Sequence, residues 1–206
     1  MIRFYRFPHS TNCERLSLAL GHKGLDFESV EIDPADRSPV RKISGQDLVP
    51  VIDDGGKVVN DSMTIVRYLE DRYPEKPLYP ADPARRAEVL VFIDWFNRVW
   101  KVPPNAMEAE MGRETPDRKK IAAWSAEMKG HLDLFESMLQ GRDHLMGDEF
   151  TAADVCAWPF LRYSVLPMVA TDEYLFHKIL VEHQPLGEDH PRLKAWIHRV
   201  NEYPQP

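Results

Sequence analysis

Four prolines, Pro74, Pro77, Pro80 and Pro83, fall within ten residues, and the chain is patterned differently on either side of them. So many fixed φ angles in a short span suit a semi-rigid connection, not the interior of a helix or strand. Before it, short runs alternate in character. Ile2–Phe7 is rich in aromatic and β-branched residues and predicts a strand. Thr11–Gly21 carries Cys13, Leu16, Leu18, Ala19 and Leu20, a mostly apolar helix, with Gly21 and Gly24 placed for a C-terminal cap. "FESVEID", with Phe27 at its start, alternates as a second strand, and a short helix follows. "VPVIDDGGKVVND" predicts two strands joined by a turn at Asp53–Gly56. "SMTIVRYLEDRYP" then places Ile65, Tyr68, Leu69 and Arg72 at helical spacing. The first two strands flank a helix, so they should pair in parallel through a right-handed crossover. The last two should form an antiparallel hairpin.

Beyond the prolines the pattern is helical. Asp82 can cap a helix that has Pro83 in its first position, with Leu90, Ile93, Phe96 and Trp100 along one stripe. "KVPPN" (Lys101–Asn105) should kink or end it. Thr115–Pro116 repeats the start signal ahead of Ile121, Trp124, Met128, Leu132, Phe135 and Leu139. Further helices are expected after Thr151, around Thr171–Glu182, and from Pro191. The expected architecture is an α/β unit over 1–77, a linker over 78–85 and an all-α unit over 86–206.

The net charge of −7 disfavours partners that need a basic face, such as nucleic acid or an anionic membrane. No apolar run approaches the ~20 residues that span a bilayer. "MIRFYRFPHS" has no signal-peptide core, so a cytoplasmic location is expected. Two cysteines, Cys13 and Cys156, are too few for a disulfide framework. No H-E-x-x-H occurs, and His177 and His183 share no helix face well, so no metal is expected.

Chemistry-bearing residues gather where elements meet. Ser10, Thr11, Asn12 and Cys13 stand where the first strand hands over to a helix. The unpaired N–H groups of a helix N-terminus favour an anion, a thiolate included. Ser10 and Cys13 form S-x-x-C, so Ser10 can hydrogen-bond a thiolate but cannot form a mixed disulfide. Ser10, Thr11 or Asn12 can equally be an ordinary helix cap. Val49–Pro50 opens an inner strand. A cis bond there would offer the Val49 backbone to a peptide; an ordinary trans Pro at a strand start is the alternative. Asp61–Ser62 begins a helix, where Ser62 could hold a carboxylate and Asp61 an ammonium, or the pair could simply cap it. "FTAADV" (Phe150–Val155) sets Thr151 three residues before Asp154, a capping box and a folding element.

Taken together, S-x-x-x-x-R at Ser10–Arg15, Val49–Pro50, Asp61–Ser62, the proline linker and "FTAADV" make the chain resemble a cytosolic glutathione transferase over nearly its whole length. The resemblance implies a thioredoxin-like N-terminal domain and an all-α C-terminal domain, usually as a homodimer. It implies glutathione as co-substrate, Ser10 as the catalytic serine, and Val49 with a cis Pro50 on the cysteinyl part. Asp61 and Ser62 fall on the γ-glutamyl end, Asp154 on the helix-capping aspartate, and Arg15 on a structural arginine. Asn12 is a second candidate donor to sulfur. "ISGQDL" lacks the family's "NP", which leaves Gln46 and Lys42 as candidates for the glycyl end. Cys13 matches a buried resolving position and is read as packing. A small electrophilic apolar substrate is expected in a cleft between the domains, with His9, Trp100, Met107, Met111 and Tyr163 as its candidate lining; Trp124 and Trp158 read as bundle core.

Overall fold

The computed structural model describes residues 1–206, which divide into two compact units. The first comprises Met1–Pro80 together with Tyr203–Pro206; the second comprises Ala81–Glu202.

In the first unit, β1 (Ile2–Arg6), α1 (Thr11–Lys23), β2 (Phe27–Glu31), α2 (Ser38–Ser44), β3 (Val51–Asp54), β4 (Lys57–Asn60) and α3 (Ser62–Arg72) follow in order. The sheet order is β2-β1-β3-β4. β1 and β2 run parallel with Ile2 opposite Phe27, as the crossover rule requires. β3 is antiparallel to β1, with Ile52 opposite Phe4, and antiparallel to β4. Gly55 and Gly56 turn that hairpin at φ 62° and 96°, angles that favour glycine. Phe4, Val51 and Ile52 of the sheet, Leu16, Leu18 and Leu20 of α1, and Ile65, Val66 and Leu69 of α3 are fully buried. They form one core.

A buried ion pair closes the far end of this unit. Lys23 Nζ lies 2.8 Å from Glu70 Oε2 and also donates to the Tyr73 carbonyl at 2.8 Å. Glu70 accepts from the backbone N–H groups of Leu78 (3.0 Å) and Tyr79 (3.2 Å). Leu78 and Tyr79, expected in the linker, are therefore anchored in the first unit. The last four residues, expected with the helical half, also belong to it. Tyr203 stacks on His22 with ring centroids 6.2 Å apart, and Arg6 Nη1 donates to the Pro206 carbonyl at 3.2 Å. Gly21 permits this approach: a Cβ there would sit 2.0 Å from the Pro204 oxygen.

The second unit is helical: α4 (Pro83–Trp95), a π-helical turn (Phe96–Trp100), α5 (Val102–Met111), α6 (Arg118–Met138), α7 (Ala152–Leu161), a 3-10 turn (Arg162–Ser164), α8 (Leu175–His183) and α9 (Pro191–Asn201). Asp82 caps α4 by accepting from Arg85 N–H at 2.9 Å. Its buried face begins at Val89, not at Leu90, which is exposed. Both are apolar and both fit a 3.6-residue period, so pattern alone cannot choose between them. α6 begins at Arg118, later than Thr115–Pro116 suggested, because Asp117 Oδ1 accepts from Lys119 and Lys120 N–H and makes the cap itself. Trp124 on α6 is half-exposed, not core, whereas Trp158 is buried with its indole N–H on the Ile197 carbonyl at 2.9 Å. α8 starts at Leu175 and not near Thr171, because Asp172 is drawn instead to Tyr163 and His177. The Thr151–Asp154 capping box at the head of α7 is present as read. No helix is long and apolar enough to cross a membrane.

Candidate functional site

Ser10 is the N-cap of α1, in extended backbone, and its Oγ accepts from Cys13 N–H at 3.4 Å. The two readings of Ser10 are therefore compatible. A cap uses a lone pair of the hydroxyl, and its proton remains to donate to something else. The preceding His9 turns the chain at φ 62° and is half-buried. Thr11 is buried.

Cys13 shares this turn but has different chemistry. Burial pushes its thiol pKa up to about 11, against the lowering effect of the Ser10 hydroxyl. At that value roughly one molecule in ten thousand is thiolate at pH 7. A neutral thiol is a weak acceptor, so Cys13 competes poorly with a bound thiolate for the Ser10 proton. Ellman's reagent at pH 7 is therefore expected to leave Cys13 unmodified in the folded protein and to modify it in denaturant. Labelling of the folded protein at the rate of a free thiol would show that Cys13 is reactive.

Arg15 joins the N-terminal turns of two helices. Its side chain is 1% exposed, and Nη1 donates to Asn12 Oδ1 and to Ser62 Oγ, each at 3.2 Å. One guanidinium thus ties the first turn of α1 to the first residue of α3, bringing the Ser10–Asn12 and Asp61–Ser62 segments together. It also orients Ser62. With Arg15 on its lone pair, the Ser62 hydroxyl proton points elsewhere and can be given to an anion. Asp61 caps α3, accepting from Thr64 N–H at 2.9 Å, and its side chain is exposed. Asp61 has φ 66° and ψ 126°, a conformation that costs a non-glycine residue about 1–3 kcal/mol. Two helix N-termini side by side, two hydroxyl donors and one exposed carboxylate make a surface that can hold an anionic sulfur, a carboxylate and an ammonium.

The Val49–Pro50 bond is cis, and both residues are buried immediately before β3. Gln46, a candidate for the glycyl end, is bound into its own loop. Gln46 Nε2 donates to the Leu48 carbonyl (2.7 Å) and to Ser44 Oγ (3.2 Å), and Oε1 accepts from Leu48 N–H. Both of its amide protons are engaged in shaping the loop. Lys42 is exposed.

The expected lining of the second-substrate cleft divides. Trp100, Met107 and Tyr163 are 1%, 0% and 3% exposed, so they are core and not open surface. Trp100 stacks on Phe96 with centroids 4.4 Å apart and meets Phe160 edge-on at 5.8 Å. Tyr163 stacks on His177 at 4.7 Å and donates to Asp172 Oδ2 at 3.3 Å. Met111 and His9 are half-buried. Asp172 also bonds His177 Nδ1 at 2.7 Å. The sequence carried no signal for this network, because residues five apart share no helical face.

Each unit matches a family model. The model of the glutathione S-transferase N-terminal domain matches residues 4–77, and that of the C-terminal domain matches residues 118–199. Protein LigF of Sphingobium sp. is 26% identical over 98% of this chain and 90% of that protein. The crystal structure of LigF, described as a beta-etherase, superposes with a TM-score of 0.82 over 99% of this chain and 96% of that one, at 23% identity. A glutathione S-transferase from Rhodospirillum rubrum superposes with a TM-score of 0.77 over 100% of this chain and 90% of that one, at 28% identity. FtsZ-localized protein A of Caulobacter vibrioides is 28% identical over 74% of this chain and 72% of that protein.

Proposed function

Because the chain belongs to the glutathione S-transferase family, we propose that it is a glutathione transferase in which Ser10 stabilises the glutathione thiolate for attack on an electrophilic carbon of an apolar substrate. The observation that carries this reading is the Arg15 bridge. It holds the Ser10 helix end against the Ser62 helix end while leaving both hydroxyl protons to be donated. Ser62 and the α3 amides then take the γ-glutamyl carboxylate, and Asp61 its ammonium. The Val49 backbone, before the cis Pro50, pairs with the cysteinyl part. Asn12, held by Arg15, positions the turn. His9, half-buried beside Ser10, remains accessible to the second substrate. The protein acts in the cytoplasm, as a homodimer.

The energetics are sufficient. A free thiol has a pKa of about 8.5, and lowering it by about two units takes roughly 2.7 kcal/mol. A hydrogen bond to a charged group supplies ~1.5–3 kcal/mol, and a helix N-terminus ~0.3–1 kcal/mol more. Calorimetric titration with glutathione tests the reading. Saturable binding at or below millimolar concentration is expected. Heat indistinguishable from dilution would favour a non-catalytic interaction protein of the same fold.

The LigF likeness supports a narrower variant, ether cleavage. There the same thiolate forms a C–S bond as the C–O bond breaks, and the aryloxide leaves with the electron pair. Turnover of a β-aryl ether well above that of an aryl halide would select it.

A further inference from the structure

A cavity of about 630 Å³ lies within the helical unit, among residues that the Ser10 site does not use. Its size falls in the ~300–1,000 Å³ range usual for small-molecule sites. Three stretches of chain line it: Ser164 and Val165 after α7, Leu186, Gly187 and Glu188 between α8 and α9, and Pro191 and Lys194 in the first turn of α9. These walls are held from behind. Gln184, fully buried, donates to the Phe160 carbonyl at 2.7 Å and so ties the α8–α9 connection to α7. Glu136 of α6 accepts from Arg192 N–H (3.2 Å) and Leu193 N–H (2.8 Å) and fixes the head of α9. Pro191 has no N–H, and Lys194 N–H goes to the His190 carbonyl at 3.1 Å. The first-turn amides of α9 are therefore spent, and the helix end itself offers nothing to a ligand.

What the cavity does offer is side chains. Ser164 Oγ is buried and has no hydrogen-bond partner. A helical serine often returns its hydroxyl to the carbonyl one turn back. This one does not, so its proton remains to be donated, and a buried hydroxyl left unpaired is a standing cost. Lys194 and Glu188 line the same space, both are exposed, and neither forms an ion pair with the other or with any other residue. Val165 and Leu186, both half-buried, and Pro191 supply apolar wall. A positive and a negative group left unpaired over one apolar-walled cavity match a molecule that carries both charges on an apolar body.

We propose that this cavity is a binding site for an apolar α-amino acid. Lys194 and the Ser164 hydroxyl take its carboxylate, Glu188 takes its ammonium, and Val165, Leu186 and Pro191 take its side chain. An apolar acid without the ammonium meets Glu188 as a like charge. An apolar amine without the carboxylate leaves Ser164 and Lys194 unpaired. The zwitterion alone satisfies all three polar groups. No residue of this site enters the transferase reading, so the two stand or fall separately.

The test is calorimetric titration of the full chain with L-phenylalanine in excess glutathione, which on the transferase reading already fills the Asp61–Ser62 site. Saturable binding is expected, roughly 3- to 10-fold tighter than that of 3-phenylpropanoate, which lacks the ammonium, or of phenethylamine, which lacks the carboxylate. Lys194→Met should remove the advantage over phenethylamine, and Glu188→Gln the advantage over 3-phenylpropanoate. Both positions are exposed, so the fold should not suffer. Ser164→Ala should weaken L-phenylalanine binding roughly 3- to 10-fold while leaving the urea midpoint unchanged or raised, because it deletes a buried hydroxyl that bonds to nothing. A serine needed only for the fold would lower the midpoint. No saturable heat, equal binding of the three probes, or wild-type affinity in Ser164→Ala or Lys194→Met overturns the proposal. The expected pattern in a protein that gives no heat with glutathione would end the transferase reading and leave this site standing.

Discussion

Asp154→Ala is expected to abolish cooperative folding of the helical unit. Asp154 is fully buried and no atom of its carboxylate is idle. Oδ2 accepts from Thr151 N–H at 2.9 Å and from Thr151 Oγ1 at 3.2 Å, and so closes the capping box at the head of α7. Oδ1 accepts from Leu145 N–H at 3.1 Å and from the Trp196 indole N–H at 2.8 Å. One side chain therefore satisfies α7, the loop before it, and α9. Alanine leaves these donors buried without an acceptor, at ~1–3 kcal/mol apiece, and the sum approaches the whole stability of a typical domain, about 5–15 kcal/mol. Asp154→Asn keeps one oxygen but turns an NH₂ toward two donors, so it should fall between wild type and alanine. Urea denaturation followed by far-ultraviolet circular dichroism reads both. A midpoint for Asp154→Ala within error of wild type would show that water or rearrangement replaces the carboxylate.

Ser10→Ala should have the second-largest effect, and on activity instead of stability. The variant loses an N-cap bond that is already long at 3.4 Å, for which a cost of about 0.5–2 kcal/mol is usual. It also loses the proton donated to the thiolate. Removing one donor aimed at such a charge costs ~10²–10³ in turnover, and at least ~10-fold is expected here with a model electrophile. Ser10→Thr keeps the hydroxyl and should recover part of the loss. Wild-type turnover in Ser10→Ala, with the fold intact, would move the role to Thr11 or Asn12, or remove it.

The first unit was the more legible in sequence. Each of its elements is short and bounded by a strong local signal: Gly24 after α1, the Gly55–Gly56 turn, Asp61 before α3. The order of strand types then leaves the crossover rule one sheet to build. In the helical unit the existence of each helix was legible but its phase and ends were not. Val89 and Leu90 are interchangeable by pattern, and Asp117 outcompetes Thr115 as a cap only once Glu110 Oε1 holds its N–H at 2.9 Å.

The candidate site divides in the same way. Ser10, Asp61 and the cis Val49–Pro50 bond stand at element ends, where caps and turns declare themselves. What Arg15 does was legible only as structural. Its bond to Ser62 spans 47 residues, and no local pattern encodes such a contact. Gln46 is the opposite case: its partners, Ser44 and Leu48, are two residues away on either side, and a side chain that pattern leaves open is bound in its own loop. The burial of Trp100 and Met107 is not legible in sequence, because aromatic and sulfur side chains look alike whether they face a ligand or a core.

The most direct test of the role given to Ser10 is ultraviolet difference spectroscopy of the purified protein saturated with glutathione, titrated from pH 5 to pH 9. A mercaptide absorbance is predicted, with a midpoint about two units below that of free glutathione, and it should be absent in Ser10→Ala at the same occupancy. A midpoint equal to that of free glutathione, or one unchanged by the substitution, would contradict it.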